Sequence, residues 1–134
     1  MKRHIPNFLT LLNLACGTAA VVLTLEGHWR IAVYLVLAAS LFDFLDGLTA
    51  RVLDAKSEFG KQLDSLADIV SFGVAPSVIL FNWLHLVLIE LSIDSTFELI
   101  SANFSQRLIL FSSLLFVIAG AIRLARFNIT KTES

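Results

Sequence analysis

Four long apolar runs dominate the chain, separated by short polar stretches. They lie near residues 7–26, 30–51, 69–91 and 107–127. Each can cross a hydrocarbon layer of about 30 Å, which takes about 20 helical residues. The pattern predicts an all-α integral membrane protein with four spanning helices. Glu26-Gly27-His28-Trp29-Arg30 reads as a short outer turn, with Trp29 suited to the membrane interface. Residues 52–61 read mostly as a solvated loop. Residues 92–104, with Asp94 and Glu98 among Ile93, Phe97 and Leu99, read as an outer loop or interfacial helix.

Composition agrees with this reading. With 57% hydrophobic residues and a mean hydropathy of +0.81, the chain does not fit a soluble globular domain. It has no Pro/Gly/Ser-rich linker, repeat or low-complexity tract, so residues 1–134 read as a single membrane domain. A net charge of −1 gives no reason to expect a nucleic-acid partner. Cys16, the single cysteine, has no internal disulfide partner and is expected to pack within the first helix. Lys2, Arg3, Arg51, Lys56, Lys61, Arg123, Arg126 and Lys131 fall on one side of the four spans, and Arg30 and Arg107 on the other. By the positive-inside rule, both termini and the 52–68 loop face the cytoplasm. Met1-Lys2-Arg3 before an apolar run also resembles a cleaved signal, but three more spanning runs follow and speak against it.

Against this apolar background, four carboxylates stand out. Asp43 and Asp46 sit three apart at the end of the second run; Asp64 and Asp68 sit four apart at the start of the third. On helices, both spacings place each pair on one face, and a helical hairpin brings the pairs to one depth. Ionisable groups in such segments are costly and mark function. Four converging carboxylates need cations, and an all-oxygen donor set points to Mg²⁺ or Mn²⁺. Gly47 and Ala50 lie on the same side as Asp43 and Asp46, and Arg51 offers a planar fork for phosphate oxygens or, more simply, an interfacial anchor.

The spacing Asp43-x2-Asp46-Gly47-x2-Ala50-Arg51-x8-Gly60-x3-Asp64-x3-Asp68 resembles the signature of the CDP-alcohol phosphotransferases, with every signature position present. Pro6-Asn7-Phe8-Leu9-Thr10, Leu63 to Asp68, Ser71 to Pro76 and Arg123 to Asn128 are similar to the phosphatidylserine synthase branch of that family. The resemblance covers nearly the whole chain. It implies a membrane enzyme that moves a phosphatidyl group from CDP-diacylglycerol to the hydroxyl of L-serine, releasing CMP. It also implies a donor site drawing on Asn7, Thr10, Asp43, Gly47, Ala50, Arg51, Gly60 and Asp64. The polar residues of this set have plainer readings: Asn7 and Thr10 as an N-cap and a first-turn hydroxyl, and Asn13, one turn deeper, as glue between helices.

The expected mechanism gives Asp43, Asp46 and Asp64 to metal ions, two by expectation, that bridge the donor pyrophosphate. Asp68 would serve as both ligand and general base. Ser71, Arg123 and Arg126 are candidates for the acceptor carboxylate or a lipid phosphate; positive-inside anchoring explains the two arginines as well. The family likeness implies six spanning helices and a homodimer, so a chain with four is expected to lack the last two. The rival readings are the same machinery acting on glycerol 3-phosphate or inositol, a metal-binding or transport protein, and a non-catalytic membrane fragment.

Overall fold

The computed structural model describes residues 4–91 and 103–133 of the 134-residue chain. The described residues are helical apart from short turns: α1 (His4–Leu25), α2 (Trp29–Val52), α3 (Glu58–Asp68), a π-helical turn (Ile69–Val74), α4 (Ala75–Leu91), α5 (Phe104–Ser112) and α6 (Leu115–Glu133). Four stretches are long and apolar enough to cross a membrane: His4–Leu25, Trp29–Val52, Glu58–Leu91 and Phe104–Thr130. The four expected spans are therefore present. The expected outer segment at 92–104 lies almost wholly outside the described residues.

The packing is inverted relative to a water-soluble bundle. Small and polar residues are inside, including Thr10, Asn13, Ala20, Thr24, Ala32, Ala39, Ala67, Ser71 and Ser77, while Phe8, Leu25, Tyr34, Phe44 and Leu91 face outward. Lipid is as apolar as leucine, so helices here gain from close backbone approach and buried hydrogen bonds. On α1 the buried positions are Pro6, Thr10, Asn13, Gly17, Ala20 and Thr24, one continuous stripe of mostly small side chains. On α2 they are Ala32, Ala39 and Asp46, two turns apart. The Thr10 hydroxyl donates to Asp46 Oδ2 at 2.6 Å and sets the antiparallel register. In that register Gly17 lies level with Ala39 and Thr24 with Ala32.

Both connecting turns close in the same way. After α1, Gly27 takes φ +87°, and the Gly27 and His28 amides donate to the Thr24 and Leu23 carbonyls at 3.0 and 2.7 Å. After α2, Asp54 takes φ +48°, and the Asp54 and Ala55 amides donate to the Arg51 and Ala50 carbonyls at 3.3 and 3.0 Å. Each turn is a left-handed C-terminal cap that satisfies carbonyls the helix leaves over. The Ser57 hydroxyl then caps α3 by accepting from the Gly60 amide at 3.0 Å.

Two boundaries differ from expectation. The loop after α2 is only residues 53–57, because helix resumes at Glu58. The third span thus begins eleven residues earlier than the apolar run that predicted it. Phe59 and Leu66 are exposed apolar side chains on this amphipathic entry, whose polar residues lowered its hydropathy and concealed it. The fourth span is broken at Ser113-Leu114 into α5 and α6. There the Ser112 and Ser113 hydroxyls donate to the Ile109 and Leu110 carbonyls at 2.5 and 2.8 Å. The backbone tightens to i→i+3 bonds, Leu114 to Phe111 at 3.1 Å and Val117 to Leu114 at 3.1 Å. Serine hydroxyls that compete for the helix's own carbonyls bend or interrupt it.

α1 is the hub, packing on α2, α3, the π turn and α4, while α6 touches chiefly the π turn. Ser71 sits in that turn against α1. Its hydroxyl donates to the Asn13 carbonyl at 3.1 Å, and its Cα is 2.9 Å from where a Cβ on Gly17 would stand. Gly73 faces the other way, toward Val117 of α6. The wide turn ends just before Pro76, where the Ala75 amide reaches back five residues to Val70. A proline ring clashes with the carbonyl four residues earlier, and the π turn relieves that clash.

Candidate active site

The carboxylates come from two helices. Asp43 is near the end of α2, while Asp64 and Asp68 lie on the last turns of α3. One oxygen from each of Asp43, Asp64 and Asp68 lies within 4.8 Å of the others, and all three residues are half-buried. Like charges at that separation repel by about 3 kcal/mol per pair at an effective dielectric constant of about 20. Asp68 Oδ1 is buried and has no hydrogen-bond partner. An all-oxygen set carrying an unsatisfied buried oxygen fits a hard divalent cation. The residues present are therefore able to hold a metal.

Asp46, the fourth carboxylate, is bound from α1. It is 5% exposed, and its Oδ2 accepts from Thr10, which is itself 2% exposed. The Thr10 hydroxyl also lies 3.0 Å from the Pro6 carbonyl, but the shorter approach to a carboxylate is the stronger one. Sequence reasoning gave Thr10 to the donor nucleotide and did not foresee this bond. The helical-hairpin register could have suggested it, since it sets the two residues at one depth.

The remaining signature positions differ in their surroundings. Gly47 has no atom within 4 Å of where a side chain would begin, so open space lies beside the carboxylates. Gly60 is different: a Cβ there would stand 2.8 Å from Asn7 Oδ1 and 3.1 Å from Ser57 Oγ. Its lack of a side chain thus lets α1 and α3 meet at Asn7. Ala50 is half-buried and Arg51 exposed at the end of α2.

Beside the trio, a cavity of about 450 Å³ opens between the third span and α6. Asp68 and Arg123 supply its charged walls, and Phe72, Gly73, Val117 and Leu124 are among the apolar ones. Arg126 is exposed and does not line it; Ser71 is fully buried against α1 and is likewise absent from its walls. Asn128 was given no role on sequence. Its Nδ2 donates to Ser65 Oγ at 3.0 Å, tying α6 to the helix that carries Asp64 and Asp68. Asn13 does not supply the expected interhelical hydrogen bond through its side chain; it is its backbone carbonyl that Ser71 bonds. It is wholly buried, and both side-chain amide atoms lack hydrogen-bond partners.

Comparison with known proteins bears on this arrangement. Three similar proteins are each named CDP-diacylglycerol–serine O-phosphatidyltransferase. The one from Methanocaldococcus jannaschii is 36% identical over 129 residues, covering 96% of this chain and 51% of the relative. That from Helicobacter pylori strain J99 is 39% identical over 129 residues, covering 96% and 47%. That from Saccharomyces cerevisiae is 37% identical over 137 residues, covering 97% and 43%. The chain thus spans about half the length of the curated relatives it matches. No solved structure matches it. Residues 3–134 match the family described as CDP-alcohol phosphatidyltransferase. With the full carboxylate signature and membrane-spanning helices in place, the chain belongs to the CDP-alcohol phosphatidyltransferase family.

Proposed function

We propose that this chain carries the catalytic centre of a CDP-diacylglycerol–serine O-phosphatidyltransferase, which makes phosphatidylserine and CMP. The observation that carries the reading is the convergence of Asp43, Asp64 and Asp68 beside a cavity walled by Asp68 and Arg123. The names of the relatives support serine as the acceptor.

Asp43, Asp64 and Asp68 would hold divalent metal, Mg²⁺ or Mn²⁺ and two ions by expectation, with Asp46 contributing from its Thr10-bound position. Bound there, the metal would neutralise the donor pyrophosphate and polarise the phosphorus under attack. The open space at Gly47 leaves room for the donor head group, and Asn7, Ala50, Arg51 and Gly60 border its approach. Asp68 removes the proton from the serine hydroxyl. The oxygen then forms an ester bond to the β-phosphorus as the phosphoanhydride bond breaks, and CMP departs with the electron pair. Arg123 meets the serine carboxylate, which glycerol and inositol lack. The cavity favours Arg123 over Arg126 for that role. Clustering of Lys and Arg on one side of the spans supports a cytoplasmic active site, where a nucleotide-linked head group can reach it.

The test is CMP release by the purified full-length protein in detergent, from CDP-diacylglycerol with Mn²⁺ or Mg²⁺. L-Serine, glycerol 3-phosphate and inositol would be compared as acceptors. The expected result is serine-dependent CMP that disappears with EDTA. Release that depends on another alcohol, or that persists without metal, would overturn the corresponding part of the reading.

A further inference from the structure

The last helix carries the cavity's only cation among the described residues. α6 is separated from α5 by the turn at Ser113-Leu114, so α5 does not rigidly dictate its direction. Its place is set by contacts with the third span at two levels. At one level Val117 packs at Gly73, where a Cβ would be 3.8 Å from the Val117 backbone. At the other, Asn128 Nδ2 donates to Ser65 Oγ at 3.0 Å. The Ser65 hydroxyl is itself oriented, donating to the Lys61 carbonyl at 3.1 Å. Between these two levels lie Asp68, Phe72 and Arg123, all on the cavity wall. Ser65 lies between Asp64 and Asp68, so the bond ties α6 directly to the carboxylate-bearing helix.

We propose that Asn128 is a positioning residue: through Ser65 it fixes the last helix so that Arg123 stands across the cavity from Asp68. Building on the function proposed above, the bond sets the affinity for the acceptor while leaving the donor site alone. Arg123 is exposed, and its location follows from where its helix is held.

Two measurements on the full-length protein test this. In steady-state CMP release, Asn128→Ala and Ser65→Ala should each raise the serine KM about fivefold, the size of one neutral hydrogen bond. The KM for CDP-diacylglycerol should stay unchanged, and Ser65→Thr should restore the serine KM. The double variant should be no worse than the more affected single one, because both changes remove the bond they share. An unchanged serine KM in Asn128→Ala, or additive effects in the double variant, would overturn the proposal. The second measurement needs no turnover. Spin labels at exposed Gln62 and Ile129 should give a narrow distance distribution that broadens in Asn128→Ala; an unaltered distribution would also overturn it. If wild-type protein lacks serine-dependent CMP release while Asn128→Ala still broadens the distribution, the serine reading falls and the positioning role stands.

Discussion

Asp68 combines three properties that its neighbours share only in part. It belongs to the carboxylate trio, its Oδ1 is buried without a hydrogen-bond partner, and it reaches the wall of the adjoining cavity. A general base must reach the proton of the attacking hydroxyl, and Asp68 borders both the trio and the cavity proposed for the acceptor. Asp68→Asn preserves size and much of the packing while removing the proton acceptor. It should lower kcat about 10²- to 10⁴-fold, the usual contribution of a positioned base. Affinity for CDP-diacylglycerol, measured by direct binding, should change little. A variant retaining wild-type kcat would remove Asp68 from the base role. Asp46 shows how equivalent-looking carboxylates can diverge. Its spacing from Asp43 suggested a shared face, and Thr10 on the facing helix binds it, a contact the trio is not shown to share. Spacing on one helix defines a face; the partner across the interface decides where on that face a carboxylate points.

At the scale of elements, the third span shows most clearly how local sequence and packing divide the work. Its amphipathic entry, its π turn and its apolar remainder form one rod that meets α1 on one side and α6 on the other. The π turn sends Ser71 toward α1 and Gly73 toward α6, so both contacts depend on small residues. Gly17 is the tightest point. An added Cβ would collide with Ser71 Oγ and stand 2.9 Å from its Cα, and a backbone atom cannot rotate aside. Gly17→Ala should therefore force α1 and the third span apart and destabilise the bundle by about 1–3 kcal/mol, the usual cost of overpacking. The readout is thermal unfolding in detergent, where an unchanged midpoint would contradict this close approach. Pro76 announced an irregularity in the sequence, but whether it would kink the helix or widen its turn depended on packing at both faces. The Ser112-Ser113 pair gave a weaker signal still, because serines in membrane helices are common and only some capture a carbonyl.

For the whole molecule, the four spans place the α1–α2 turn at one end and the α2–α3 turn, beside the carboxylates, at the other. The positive-inside rule then predicts that His28 faces outside and Lys56 faces the cytoplasm; both are exposed. With Cys16 replaced by serine, His28→Cys should react with an impermeant maleimide on intact cells. Lys56→Cys should react only after permeabilisation. The reverse pattern would invert the orientation and put the carboxylates on the outer side.

Much of this protein was determined by sequence alone. Four apolar runs of bilayer length leave few alternatives to four spanning helices, because the other element that satisfies its backbone within lipid, the barrel strand, is about half as long and alternates in polarity. Likewise, the carboxylate spacing, with Gly47, Ala50, Arg51 and Gly60 between, specifies the family, since those residues act through identity and interval. The tertiary structure decided what depends on contacts between distant residues. It joined Thr10 to Asp46, bound Asn128 to Ser65, and set Arg123 rather than Arg126 on the cavity wall. It also brought Gly60 against Asn7 from another helix. Periodicity records which face of a helix is apolar, but in lipid the inward face is chosen by small residues and single hydrogen bonds. Those carry little hydropathy signal, so only the packed bundle could reveal them.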